Sequence, residues 1–198
     1  MTGGARDRGP SAARPSPARL RPLHLPDPPL TDAAAGIALR PWRPTPEDAA
    51  ALAAAWADPE IAARTAVPAD RSAQAAARWI RGEPARRAAG LCLDLVVGPR
   101  EDDAAVLGEV GLRNVQARPL RAEIGWWIAP AARGQGLATA AARLLAGWAL
   151  SALGLDQVWA RIDGANPAAA RVAAGAGFVE LGDAAGATIW SRVRLPMS

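Results

Sequence analysis

Apolar residues follow two different rhythms along this chain, and the alternation between them predicts the elements. From Gly36 onward, short apolar runs of strand character trade places with stretches of helical spacing. Ile37 to Trp42 reads as a first strand. Thr45 as N-cap, Pro46 at the first helical position and Asp48 in a capping-box-like place start a helix to about Ala57, with Leu52 and Trp56 as its inward stripe. A second, short helix starts at Ser72 and turns Ala76, Trp79 and Ile80 inward. Leu91 to Val97, Ala105 to Leu112 and Arg121 to Ile128 read as three successive strands, antiparallel because their connections are short.

The strongest helical signal lies between about Gly134 and Leu153, where Leu137, Ala141, Leu144, Leu145 and Trp148 keep the i, i+3, i+4, i+7 spacing and Gly154 provides a stop. Asp156 to Ile162 is the next strand. Asn166 and Pro167 open another helix that ends near Gly175 and Gly177, and Phe178 to Leu181 and Thr188 to Val193 close the domain. The order β-α-α-β-β-β-α-β-α-β-β implies an α/β fold of the α+β type, a mixed sheet with a single parallel crossover from Arg121 to Ile162. Residues 36–198 are expected to form one domain, and a second full domain does not fit a chain of 198 residues. Met1 to Ala35 carries seven prolines with Ala, Arg and Gly in neither rhythm, and is expected to be a disordered extension.

Composition narrows the chemistry. The basic residues number 23, all arginine, giving a net charge of +4 and a pI near 11.0. They are spread along the chain and interleaved with acids, which argues against a nucleic-acid stripe. No run approaches the ~20 apolar residues of a membrane span, and the N-terminus lacks a secretory apolar block, so the pattern reads as a soluble cytoplasmic protein. Cys92 is the single cysteine and His24 the single histidine. A zinc site of Cys and His, an intrachain disulfide and a His-based nucleophile relay are therefore not expected, and no metal is. Cys92, in an apolar run, reads as a packed thiol.

The segment Glu123-Ile-Gly-Trp-Trp-Ile-Ala-Pro-Ala-Ala-Arg-Gly-Gln-Gly-Leu-Ala-Thr139 ends a strand, makes a glycine turn and opens the long helix. That is an anion site, because first-turn N–H groups lack partners, the helix dipole is positive there, and Gly134 and Gly136 clear the approach. Arg133 and the Thr139 hydroxyl could add charge and a further donor. Without lysine the phosphate loop of nucleotide hydrolases is excluded. A dinucleotide fold is a weaker fit, since Asp156 is suitably placed but the third glycine position is Thr139.

Arg133, Gly134, Gln135, Gly136, Leu137 and Ala138 match the [QR]-x-x-G-x-[GA] pyrophosphate signature, and the chain resembles the GNAT N-acetyltransferases over about residues 37 to 195. The Glu-Ile-Gly-Trp-Trp strand before the turn is similar to the RimJ/RimL-like branch, which acetylates alanine or serine N-termini of ribosomal proteins. Asn166 opening the next helix and Gly177-Phe178 ending it supply the second mark. The resemblance implies the GNAT fold, acetyl-CoA as acyl donor and an amine acceptor, foremost a protein or peptide α-amino group. Small amines, amino acids and aminoglycoside-like compounds are alternatives, and a homodimer is compatible with the sequence.

The same resemblance implies main-chain bonds from Trp126, Trp127 and Ile128 to the pantetheine, pyrophosphate binding by Gly134 to Thr139, and contact from the Asn166 side chain. The usual tyrosine and serine donors of the family fall at Ala173 and Ala169, so an idle acyl-CoA-binding module is a second class of reading. For the base, Glu123 comes first, followed by Glu109 and Asp163. Alternation places Glu123, Gly125 and Trp127 on one face of their strand.

Overall fold

A computed structural model describes residues 21–194. One eight-stranded sheet runs through it, with strands in the order β1-β2-β3-β4-β5-β6-β8-β7. The strands are β1 (Leu30–Asp32), β2 (Ile37–Pro41), β3 (Leu93–Pro99), β4 (Gly108–Ala117), β5 (Leu120–Ile128), β6 (Gln157–Asp163), β7 (Val179–Ala184) and β8 (Ala187–Val193). The helices are α1 (Pro46–Ala57), α2 (Pro59–Arg64), α3 (Ala73–Ala88), α4 (Leu137–Ser151) and α5 (Pro167–Gly175). The β5–β6 pairing is parallel and the other six pairings are antiparallel, so α4 is the crossover expected from the sequence.

Alternation along the central strands divides the interior into two layers. Leu93, Leu95 and Val97 of β3, Val110 and Leu112 of β4 and Ile124 of β5 face α4 and α5 and join Ala141, Leu145 and Ala149 in the larger core. Val96 and Trp127 face the other way and pack with Leu52 and Trp56 of α1 and Ala76 and Ile80 of α3. The alanines of α4 let that helix lie close on the sheet, while the smaller layer is filled by indoles. Within it Trp79 meets Trp42 and Trp56 edge-on, with ring centroids 6.5 and 6.3 Å away. Asp48 accepts from both terminal nitrogens of Arg40, at 2.7 and 2.8 Å, and fastens α1 to β2.

The extension differs from expectation over residues 21–35. Leu30–Asp32 pairs with Leu39–Ile37 as an edge strand, Leu23 is buried in the larger core, and Asp32 accepts from Arg143 of α4 at 2.6 Å. Three residues are too few for a period to register, and prolines around them hide the strand. The remainder of the predicted extension lies outside the described residues. The helix from Ser72 is also longer than expected, running 16 residues through Pro84, and α2 adds a six-residue helix capped by Asp58.

Candidate active site

The functional geometry begins where two strands part. β5 and β6 pair at Arg121↔Gln157, Ala122↔Val158 and Glu123↔Trp159, and the pairing stops there. Beyond that point β5 stays with β4 as far as Ile128↔Gly108, whereas β6 follows β8 as far as Asp163↔Ala187. Each strand keeps its other neighbour, so a wedge opens between them with Glu123 and Trp159 at its apex. The backbone edge of Trp126, Trp127 and Ile128 toward β6 is left without a strand partner, which suits an extended ligand that adds in strand fashion.

At the mouth of the wedge stands the N-terminus of α4. Thr45, Asp58, Ser72 and Asn166 cap the other four helices through side-chain bonds, while α4 begins at Gly136 with no side-chain cap. Gly134 and Gly136 have φ of +77° and +76°, and a Cβ added at either would meet nothing within 4 Å. Glycine is needed there for the left-handed backbone. The resulting open space lies over unpaired N–H groups at the positive end of a helix. The wedge and this turn form one cleft of about 1360 Å³. Its length, its free strand edge and its anion-ready end fit an acyl-CoA thioester.

Most of the residues predicted to hold the donor line this cleft: Trp126, Trp127, Ile128, Arg133, Gly134, Gly136, Leu137, Ala138, Thr139 and Asn166. Gln135 does not; it is exposed on the turn. Arg133 is less free than expected, since Asp58 and Glu60 accept its guanidinium at 3.3 and 2.6 Å and Ile128 carbonyl oxygen accepts Nε at 3.0 Å. It braces α2 against the end of β5. Asn166 Oδ1 accepts from the Ala169 N–H at 3.1 Å, so the group it can offer the cleft is its Nδ2 amide. Ala169 lines the cleft, whereas Ala173 is fully buried in the larger core.

The three carboxyl groups differ in kind. Glu123 is buried at the apex with both oxygens engaged: Oε1 accepts from Arg113 Nη2 at 2.7 Å and Nε at 3.2 Å, and Oε2 accepts from Asn114 Nδ2 at 2.6 Å. Asp163 is exposed on the cleft rim and accepts from the Ala165 N–H at 2.8 Å. Glu109 points into the indole layer and accepts from Trp42 Nε1 at 2.8 Å and from Trp127 Nε1 at 3.3 Å. Burial, and then the charge of Asp94, pushes its carboxyl up to about 8.

One feature escaped the sequence reading. Trp159 lines the cleft at the apex and its indole N–H is buried without a partner, a donor left over inside the site. Its strand position was clear, but only the parting of β5 and β6 shows what it faces. Cys92 is half-buried just before β3 and not within the strand, and burial and Asp94 push its thiol up to about 12, which keeps it protonated near neutral pH. Among the described residues no cluster of His, Cys, Asp and Glu could hold a metal, and no helix is long and apolar enough to cross a membrane.

A mixed sheet split beside its one parallel crossover, with an uncapped helix over the split, offers a free strand edge beside an anion-ready turn, the features an acyl-CoA-using transferase needs. The sequence model described as "Acetyltransferase (GNAT) domain" matches residues 37–179, and the chain belongs to that family. It is thus an N-acetyltransferase with acetyl-CoA as donor. Among solved structures it is similar to Mycobacterium smegmatis RimJ in complex with CoA-disulfide, at 25% identity and TM-score 0.69, over 86% of this chain and 88% of that one. It has the same fold as the ribosomal-protein-S5-alanine acetyltransferase of Vibrio fischeri, at 18% identity and TM-score 0.69, over 80% and 93%. It also shares that fold with the microcin C7 self-immunity acetyltransferase MccE in complex with acetyl-CoA and AMP, at 17% identity and TM-score 0.68, over 80% and 92%. No curated protein matches the chain.

Proposed function

We propose that this acetyltransferase modifies a protein or peptide N-terminal α-amino group, with acetyl-CoA lying along the free edge of β5. The observation that carries the reading is the wedge itself. It runs from the uncapped start of α4 to the Glu123–Trp159 apex, so a pyrophosphate held at Gly134 to Thr139 directs the thioester toward that apex. RimJ of M. smegmatis supports the acceptor class by likeness, as do neighbours whose names specify a ribosomal-protein alanine and an L7/L12 α-N-protein acetyltransferase.

In this reading the amine nitrogen attacks the thioester carbon, the C–N bond forms, the C–S bond breaks, and the sulfur leaves as thiolate or picks up the proton shed by nitrogen. A thiol needs little help to leave near neutral pH, so Ala169 and Ala173 do not stop the reaction. Glu123, the first choice for a base from sequence, has both carboxylate oxygens bonded to Arg113 and Asn114, and we assign it to holding the apex in register. MccE, a microcin C7 self-immunity acetyltransferase solved with acetyl-CoA and AMP, keeps small-molecule amines as a second acceptor class. Thiol release from acetyl-CoA across alanine- and serine-initiated peptides and small amines, with mass spectrometry to place the acetyl group, tests the reading. Turnover confined to small amines would overturn the acceptor class, and acetyl-CoA binding with no turnover on any amine would point to the idle module.

A further inference from the structure

The two faces of the wedge differ in charge. Val158, Ala160 and Ile162 of β6 and Ala122 and Ile124 of β5 turn toward α4 and α5 and lie in the larger core. Alternation therefore sends Trp159 and Arg161 of β6, Glu123 of β5 and Arg113 of β4 to the opposite face. Arg113, Glu123 and Trp159 stand in one row across the three strands. Two residues further along, β5 and β6 have parted, and Gly125 and Arg161 stand on opposite walls of the opening. The core closes the other face, so a second substrate meets the thioester from the side that carries these arginines.

Arg113 is held in one orientation. Its Nε and Nη2 both donate to Glu123 Oε1, at 3.2 and 2.7 Å, and Asn114 donates to the other carboxylate oxygen. That leaves Nη1 over the bare backbone of Gly125, where a Cβ would sit 2.9 Å from Nη1 and 3.3 Å from the guanidinium carbon. Nη1 has no hydrogen-bond partner among the described residues, and the side chain is 48% exposed. Arg161 is exposed as well. Its one bond among the described residues goes from Nη2 to the Ala185 carbonyl oxygen at 3.4 Å, and it meets no carboxylate there.

Nearby acids do little to offset this pair. Glu60 accepts from Arg133, and burial keeps protons on Asp94 and Glu109 beyond the usual carboxylate range. Asp163 stands two residues farther out on β6, where it accepts from the Ala165 N–H. Arg64 of α2 adds a third guanidinium to the same lining. The donor's pyrophosphate turn lies at the other end of the cleft, beyond the free edge of β5, so these arginines face the acceptor.

We propose that this face selects acceptor peptides with a carboxylate on their second residue, bound between Arg113 Nη1 and the Arg161 guanidinium while the terminal amine reaches the thioester at the apex. The inference rests on the reading of acetyl transfer to an α-amino group at the wedge and adds which N-termini are taken. Spacing sets the position of the carboxylate. Gly125 lies two residues, ~7 Å, along β5 from the apex. In an extended peptide the second Cα is ~3.8 Å beyond the first, so an aspartate or glutamate side chain there covers that distance from the terminal nitrogen. Guanidinium donors match a carboxylate in shape and charge, and Glu123 has already ordered Arg113, so binding loses little of its side-chain freedom. The same face repels a lysine side chain or a polycationic amine.

Three peptides that begin Ala-Asp, Ala-Asn and Ala-Lys and are otherwise identical test this, with acetyl-CoA saturating and free aspartic acid as a fourth acceptor. We expect kcat/KM for the Ala-Asp peptide to exceed that for Ala-Asn by about 10-fold or more, with Ala-Lys lowest, the difference lying in KM and shrinking as salt is raised. Arg161→Glu reverses a charge at an exposed position. It should remove most of the Ala-Asp advantage and raise turnover of Ala-Lys, and Arg161→Lys should keep part of the wild-type order. Acetyl-CoA affinity by calorimetry, which also reports folding, should stay close to wild type in both. Equal kcat/KM for the three peptides, or the wild-type order surviving in Arg161→Glu, overturns the charge selection while sparing acetyl transfer. Weakened acetyl-CoA binding in Arg161→Glu with the peptide order kept gives the arginine to the donor and overturns it too, as does turnover of free aspartic acid with none on the peptides. Absence of CoA release from the wild type with every primary amine overturns the transfer reading and this inference with it.

Discussion

Glu109→Gln makes a prediction about stability that needs no substrate. In the unfolded chain this carboxyl ionises near 4.5, and in the folded chain burial beside Asp94 holds its proton until about 8. Between those values the folded state binds more protons than the unfolded state, so stability falls as pH rises through the window and levels off above it. One pKa unit is worth ~1.36 kcal/mol, which makes the full excursion about 3 to 5 kcal/mol, a large share of the ~5–15 kcal/mol available to a domain. Glutamine resembles the protonated acid in shape and accepts the same bonds from Trp42 and Trp127. Urea unfolding of both proteins at pH 5, 7 and 8.5 should therefore find them within about 1 kcal/mol at pH 5. The variant should pull ahead by about 3 to 5 kcal/mol by pH 8.5. Asp94 and Glu109 act on each other, so the difference between the two proteins reports the titration of the pair. Parallel stability curves over this range would refute the claim that Glu109 is held protonated by its surroundings.

The remaining predictions concern the donor cleft, the apex and the edge strand. Gly136→Glu puts a side chain on a left-handed residue and a carboxylate at the uncapped start of α4, and should weaken acetyl-CoA binding on the order of 100-fold or more in calorimetry on folded protein, since charged hydrogen bonds are worth ~1.5–3 kcal/mol each. Glu123→Gln turns one acceptor toward the donors of Arg113 and Asn114. It should cost about 1–3 kcal/mol in denaturant unfolding and leave the shape of the pH–rate profile intact, whereas loss of a limb would restore Glu123 as the base. A chain shortened to begin at Gly36 loses β1, buried Leu23 and the Asp32–Arg143 bond, and should unfold at lower denaturant by at least the ~1.5–3 kcal/mol of one buried leucine. Unchanged stability there would show that β1 is dispensable.

Much of the frame was legible because it is written locally. The α4 stripe, the Thr45 and Asn166 caps and the strand, turn and helix from Glu123 to Thr139 each sit within about twenty consecutive residues. What escaped depends on distant partners. β1 is only three residues long and is defined by its pairing with β2. Arg133 looks like a free phosphate ligand until α2 brings Asp58 and Glu60 to it from more than 70 residues away. Glu123 and Glu109 look alike in sequence. One meets Arg113 and Asn114, the other two indoles and Asp94, and only strand register assigns those surroundings. Gly111 and Gly125 are the extreme case, ordinary strand glycines until pairing sets them side by side.

The central claim is that the wedge between β5 and β6 delivers acetyl-CoA to an α-amino group. A single reaction tests it most directly: purified protein, acetyl-CoA and an alanine-initiated peptide, read by CoA release and by mass spectrometry of the peptide. The account predicts saturable release in both substrates with one acetyl group on the N-terminal nitrogen, abolished by Gly136→Glu. Acetylation that persists undiminished in that variant would contradict it.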